Sequence, residues 1–189
     1  MNNRKAILFS APSGSGKTTI IRKILEQFDC FEFSISATSR NPREGEQHGV
    51  DYYFLTPEDF KARVGNGEFL EWEEVYQGTC YGTLKSEIDR IWDNGHVIIF
   101  DVDVNGGKNI KKYFGDDALA LFVMPPSVEE LERRLRGRGT ESEESIQKRL
   151  GRSAAELNES VHFDKTIIND DLSRAVAETA EAIREYLNL

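Results

Sequence analysis

The chain has 189 residues, enough for one well-buried core with small inserted lobes, and a formal net charge of −9. That balance argues against a general nucleic-acid surface and obliges any anion site to gather its cations locally. Cys30 and Cys80 stand far apart without metal-type spacing, and no apolar run reaches the length of a signal-peptide core or a membrane span. The chain therefore reads as cytoplasmic, with reduced thiols and no membrane partner.

The first apolar run, Ala6–Phe9, predicts a buried strand, and Thr18–Gln27 an amphipathic helix. Between them lies Ser10-Ala11-Pro12-Ser13-Gly14-Ser15-Gly16-Lys17-Thr18-Thr19. A strand, a glycine-containing loop ending in Gly-Lys-Thr and then a helix is the setting of a phosphate-binding loop. Backbone N–H groups there point at phosphate oxygens, and the helix N-terminus adds partial positive charge. Lys17 can reach β- and γ-phosphates, and the Thr18 hydroxyl can ligate Mg²⁺. The strict pattern begins with glycine; here that position is Ala11, which a negative φ would accommodate.

Residues 36–83 interrupt the rhythm, with many Gly, Pro, aromatic and charged residues and one short helix from near Pro57 to near Gly67. They read as an inserted lobe. Within it, Arg40 and Arg43 flank Pro42 and make a compact cationic fork for a phosphate monoester, to which Tyr52 could add a hydroxyl. A helix over Leu84–Asn94 follows, then the strand Val97–Phe100 ending in Asp101, a pattern whose carboxylate supports Mg²⁺. Asp103 points to the same side if the extended backbone continues. Leu119–Met124 and Thr166–Ile168 are the remaining strands; Val128–Arg136, Ser145–Asn158 and Leu172–Leu187 are the remaining helices. Ser127 and Asp171 fit as N-caps, and Gly95 and Gly137 as stops. Alternating strands and helices predict an α/β fold whose parallel sheet is covered on both faces. Arg133–Arg152 is dense in cations, and on its own reads as a solvated, salt-bridged helix pair.

The segment from Thr38-Ser39-Arg40 through Arg43, Glu46, Gly49, Tyr52 and Phe54 resembles the signature of guanylate kinases. Phe69-Leu70-Glu71-Trp72, Tyr81-Gly82-Thr83, Asp101-Val102-Asp103, Arg138-Gly139-Thr140-Glu141 and Ile168-Asn169-Asp170-Asp171 are similar to that family's later landmarks, in the same order. The resemblance implies a P-loop nucleoside monophosphate kinase fold in a single domain. Its core would be residues 1–35, 84–126 and 159–189, its GMP-binding lobe 36–83 and its helical lid 127–158. It also implies transfer of the ATP γ-phosphoryl group to GMP, with dGMP as a further acceptor and Mg²⁺ as cofactor. Arg40, Arg43, Tyr52 and Tyr81 would hold the GMP phosphate, and Ser36, Glu71, Thr83 and Asp103 the guanine. Lid residues Arg134, Arg138 and Arg149 would join Lys17 in catalysis, Asn169 would lie on the adenine side, and Thr18 with Asp101 would serve the metal. Two rivals remain at this point: a catalytically silent, peptide-binding scaffold of the same fold, and a kinase for another phosphorylated acceptor. No residue pattern separates an interface patch from a core face, so the oligomeric state stays open.

Overall fold

The computed structural model describes residues 4–189 apart from Gln77 and residues 138–142. Nine strands and seven α-helices are described, in the order β1 (Ala6–Ser10), α1 (Lys17–Leu25), β2 (Phe31–Phe33), β3 (Ala37–Thr38), β4 (Tyr53–Phe54), α2 (Pro57–Gly65), β5 (Phe69–Tyr76) and β6 (Thr79–Leu84). There follow α3 (Lys85–Asp93), β7 (Val97–Val102), α4 (Val104–Phe114), β8 (Ala118–Met124), α5 (Val128–Gly137), α6 (Glu143–Asn158), β9 (Lys165–Ile168) and α7 (Leu172–Leu187). The chain divides into two compact units. One contains Arg4, Lys5 and Cys30–Ile99; the other contains Ala6–Asp29 and Phe100–Leu189.

In the second unit, β1 runs parallel to β8, and β8 parallel to β9. Every residue of β1 is buried, which is what a continuous Ala-Ile-Leu-Phe run demands of a strand covered on both faces. Ile7, Leu8 and Phe9 are each fully buried, at about 1.5–3 kcal/mol per side chain. The helix α7 starts where Asp171 accepts from the Arg174 N–H at 2.8 Å, and α5 where Ser127 accepts from Glu130, so both expected caps form. No helix is expected over Val104–Phe114 from the sequence, because Gly106 and Gly107 lower its propensity. α4 forms there nonetheless: Asp103 caps it by accepting from the Gly106 N–H at 2.8 Å. A methyl at Gly107 would stand 3.0 Å from the Phe163 ring, so the glycine is the condition for close packing. β1, β8 and β9 thus form a parallel sheet with helices around it, and β2 and β7 pair in parallel in the other unit, the α/β class expected of a P-loop fold.

In the first unit, a second sheet has the order β4-β3-β6-β5, with β3–β6 and β6–β5 antiparallel. Ala37, Phe60, Phe69 and Leu84 form its core, and the Phe60 and Phe69 rings stack at 4.4 Å. α2 covers this core; Thr56 caps it by accepting from Asp59 at 3.1 Å, with Pro57 in the first turn. Trp72 is 46% exposed, its ring edge-on to that of Phe60.

Candidate active site

In the second unit, the chain leaves β1 into a loop whose Gly14 and Gly16 adopt φ of 96° and 91°, a region closed to most side chains. Ala11, at the position where the strict motif has glycine, keeps a negative φ and is buried. Pro12 accepts from the Ser15 N–H at 3.2 Å and closes the turn. No side chain caps α1, whose first residues are Lys17, Thr18 and Thr19, so its N-terminal amides are available to an anion. The Lys17 ammonium donates to the Val102 carbonyl at 2.8 Å and pairs with Asp101. Thr18 Oγ1 donates to the other Asp101 oxygen at 3.3 Å. The loop therefore meets the end of β7 through one cation, one hydroxyl and one carboxylate.

Three further side chains close on this loop. Asn169 is buried and donates its side-chain amide to the Ser15 carbonyl at 2.7 Å. Arg134, from α5, donates to the Asn169 carbonyl at 2.8 Å, to the Ser15 carbonyl at 3.4 Å and to Glu130 at 2.7 Å. Arg149, from α6, donates to Ser13 Oγ at 2.7 Å. Arg138 lies outside the described residues. Of the other cations in this stretch, Arg133 pairs with Glu130, Arg136 with Glu132 and Glu143, and Arg152 with Glu156, the salt-bridged pattern their composition suggests.

The first unit carries the other cluster. Glu46 holds the Arg40 guanidinium in a two-pronged pair at 2.6 and 2.7 Å, and Arg40 Nε donates to the Tyr81 hydroxyl at 3.2 Å. The guanidinium also lies 5.0 Å above the Tyr52 ring, whose centroid is 5.9 Å from that of Tyr81. Arg40, Tyr52 and Tyr81 are thus brought together. Arg43 is exposed, and its guanidinium has no ion-pair partner among the described residues. Hydrogen bonds from Arg40 and from the Arg43 N–H hold the Glu46 carboxyl down at about 2, so it stays ionised. Sequence reading left Glu46 without a role; its signal was an acid six residues beyond the first arginine. Glu71 and Thr83 are cross-strand neighbours on β5 and β6, and the threonine hydroxyl donates to Glu71 at 2.8 Å. Their approach depends on Gly82, where a methyl would stand 2.6 Å from the Glu71 carbonyl oxygen. Ser36 is half-buried and its carbonyl accepts from Tyr53 at 2.9 Å. Asp103 belongs to the second unit, with one carboxylate oxygen capping α4 and the other 3.5 Å from Arg152.

The family model described as guanylate kinase matches residues 3–186. The chain belongs to the guanylate kinase family. Among curated relatives, the guanylate kinase of Bacteroides thetaiotaomicron is 55% identical over 97% of this chain and 90% of its own length. That of Salinibacter ruber is 50% identical over the full length of both. The crystal structure of guanylate kinase from Anaplasma phagocytophilum superposes with a TM-score of 0.76 at 29% identity, covering 96% of this chain and 85% of that one. Membership of that family makes the chain a nucleoside monophosphate kinase, an ATP:GMP phosphotransferase.

The structure also contains what sequence reading of a guanylate kinase family member missed, a buried carboxylate at Glu87. It accepts from the Ile35 N–H at 2.9 Å and the Tyr53 hydroxyl at 2.8 Å, and pairs with Arg90. Burial opposes its ionisation, but the hydrogen bonds from Arg90, Ile35 and Tyr53 outweigh it and leave its pKa lowered. A first-turn acid on an amphipathic helix carries no sequence signal that it is buried.

Proposed function

We propose that this protein is an ATP:GMP phosphotransferase in which the second unit holds ATP and the first holds GMP. The observation that carries the guanine assignment is the Glu71–Thr83 pair. Guanine presents N1–H and the 2-amino group as donors, which suit the carboxylate, and O6 as an acceptor, which suits a hydroxyl. Thr83 has one hydroxyl proton and gives it to Glu71 here. When guanine donors occupy the carboxylate, that proton is released to O6, and every group remains satisfied. Ser36 of the same unit joins Glu71 and Thr83 in this reading, and Asp103 keeps its guanine assignment from the sequence resemblance alone. Adenine would set a bare N1 acceptor against the carboxylate, and a site built for one hydrogen-bond pattern rejects the other by about 10⁴-fold.

Arg40, Arg43, Tyr52 and Tyr81 hold the GMP phosphate. Arg40 arrives pre-oriented by Glu46, and Arg43 brings a second positive charge. The loop Ala11–Thr19 and Asn169 hold ATP. Lys17 exchanges Asp101 for the γ-phosphoryl oxygens, while Arg134 and Arg149 exchange loop atoms for them. Arg138 is assigned with these two from the sequence. An ionised GMP phosphate oxygen needs no side-chain base, so the protein contributes positioning and charge neutralisation. dGMP, which the sequence resemblance implies as a further acceptor, is accepted as well.

The edge formed by Thr18 Oγ1 and Asp101 Oδ2, two hard oxygens 3.3 Å apart, suits Mg²⁺ shared with a nucleotide. Bound there, the ion supplies positive charge to the β- and γ-phosphates. Among the described residues no helix is long and apolar enough to cross a membrane. A coupled assay of ADP formation with GMP, dGMP, AMP and a sugar phosphate tests the reading. GMP and dGMP should support turnover; a sugar phosphate or AMP turned over as fast as GMP would refute it.

A further inference from the structure

Glu87 has no part in the chemistry proposed above, yet its carboxylate accepts four hydrogen bonds. Its side chain is 1% exposed. Oε1 accepts from the Ile35 N–H at 2.9 Å and from Arg90 Nη2 at 2.8 Å; Oε2 accepts from the Tyr53 hydroxyl at 2.8 Å and from Arg90 Nε at 3.0 Å. Arg90 is held in turn by Glu32, which also accepts from Asn94 at 3.2 Å and stands 2.7 Å from His96 Nδ1. Four donors thus converge on two oxygens in a place with almost no water. A carboxylate so placed fixes its donors tightly, because any of them that left would strand a buried charge.

Two of those donors matter for their neighbours in the chain. Ile35 immediately precedes Ser36, and Tyr53 immediately follows Tyr52. The Tyr53 N–H also donates to the Ser36 carbonyl at 2.9 Å, so the two segments are joined directly as well as through Glu87. We propose that Glu87 is a positioning residue for the acceptor site, setting Ser36 toward the guanine and Tyr52 toward the GMP phosphate by clamping the residues beside them. This rests on the assignment of Ser36 and Tyr52 to GMP. Glu87 touches no substrate; it acts through Ile35 and Tyr53, and Arg90 with Glu32 keeps it in place.

Steady-state kinetics of the full-length chain carrying Tyr53→Phe or Glu87→Gln test this. Tyr53→Phe removes one hydroxyl and one of the four bonds; it should raise the KM for GMP by about three- to tenfold. Glu87→Gln turns an amide NH₂ toward donors that need an acceptor, and should raise it further. In both variants the KM for ATP, read in the same experiment, should stay within about twofold of the parent, because its residues lie in the other unit. A purely structural role would move both constants together or neither. A GMP KM unchanged in folded Tyr53→Phe protein overturns the proposal, as does a parallel rise in both constants. If Glu87→Gln does not fold, Tyr53→Phe decides alone. Tyr52→Phe and Glu71→Gln keep the two ideas apart. If these leave the KM for GMP unchanged, the acceptor-site reading fails; if they raise it while Tyr53→Phe does not, only the role of Glu87 falls.

Discussion

Asn169 donates its buried side-chain amide to the Ser15 carbonyl at 2.7 Å, which ties the residue after β9 to the phosphate loop. The same amide leaves no room at Gly16, where a methyl group would land on Asn169 Nδ2. Gly16 also has φ of 91°. Gly16→Ala therefore combines backbone strain of about 1–2 kcal/mol with loss of a buried hydrogen bond worth about 1–3 kcal/mol. Scanning calorimetry should show the melting temperature lowered by roughly 5–10 °C. An unchanged transition would mean that the loop has slack the structure does not show.

Lys17 is the one loop side chain whose charge lies against Asp101 and the Val102 carbonyl. Its work is on charge that develops during transfer, so Lys17→Ala should lower kcat by on the order of 10²–10³. GMP affinity, measured by calorimetric titration without ATP, should be unchanged. An unaltered turnover number would remove Lys17 from the mechanism.

Glu71→Gln keeps the shape of the side chain but replaces one acceptor oxygen with a donor, on a residue already engaged by Thr83. The ratio of kcat/KM for GMP to that for AMP should fall by about two orders of magnitude, most of it through GMP. Parallel assays with the two monophosphates measure it. A wild-type preference in this variant would place base recognition elsewhere.

The Glu32–Arg90–Glu87 cluster makes the first unit acid-sensitive. Burial opposes ionisation of Glu32, but hydrogen bonds from His96, Arg90 and Asn94 prevail and bring its pKa from 4.5 down to about 2. Glu87 is lowered as well. A carboxyl with a depressed folded-state pKa gives its full stabilisation above its unfolded value and loses it as pH falls toward the folded one. Stability should therefore be flat above pH 5 and decline between about 4.5 and 2. Urea unfolding followed by tryptophan fluorescence across that range checks this, and Glu32→Gln should flatten the decline. An equal slope in that variant would assign the acid sensitivity to other groups.

Sequence and structure agree where one physical signal dominated. The buried strand β1, the glycine loop and the capped helix α7 each follow from an apolar run, a backbone requirement or a cap. α4 was hidden because Gly106 and Gly107 weaken the helix signal, and the packing of Phe163 against Gly107 is not legible in sequence. The small sheet was hidden because β3 and β4 are two residues each, too short for alternation to register. Glu46 was named without a role and Glu87 was missed, for a shared reason: an acid matched to an arginine looks the same in sequence whether it is solvated or organises a site. Asp103 was legible as a carboxylate on the same side as Asp101, but its capping of α4 depended on a helix the sequence did not announce.

The central claim is that one chain moves a phosphoryl group from ATP to GMP, and phosphorus NMR of the two nucleotides with the protein and Mg²⁺ tests it most directly. ADP and GDP should appear together in equal amounts, with neither forming when GMP is withheld. ADP accumulating without GDP, or no turnover of the pair at all, would contradict it.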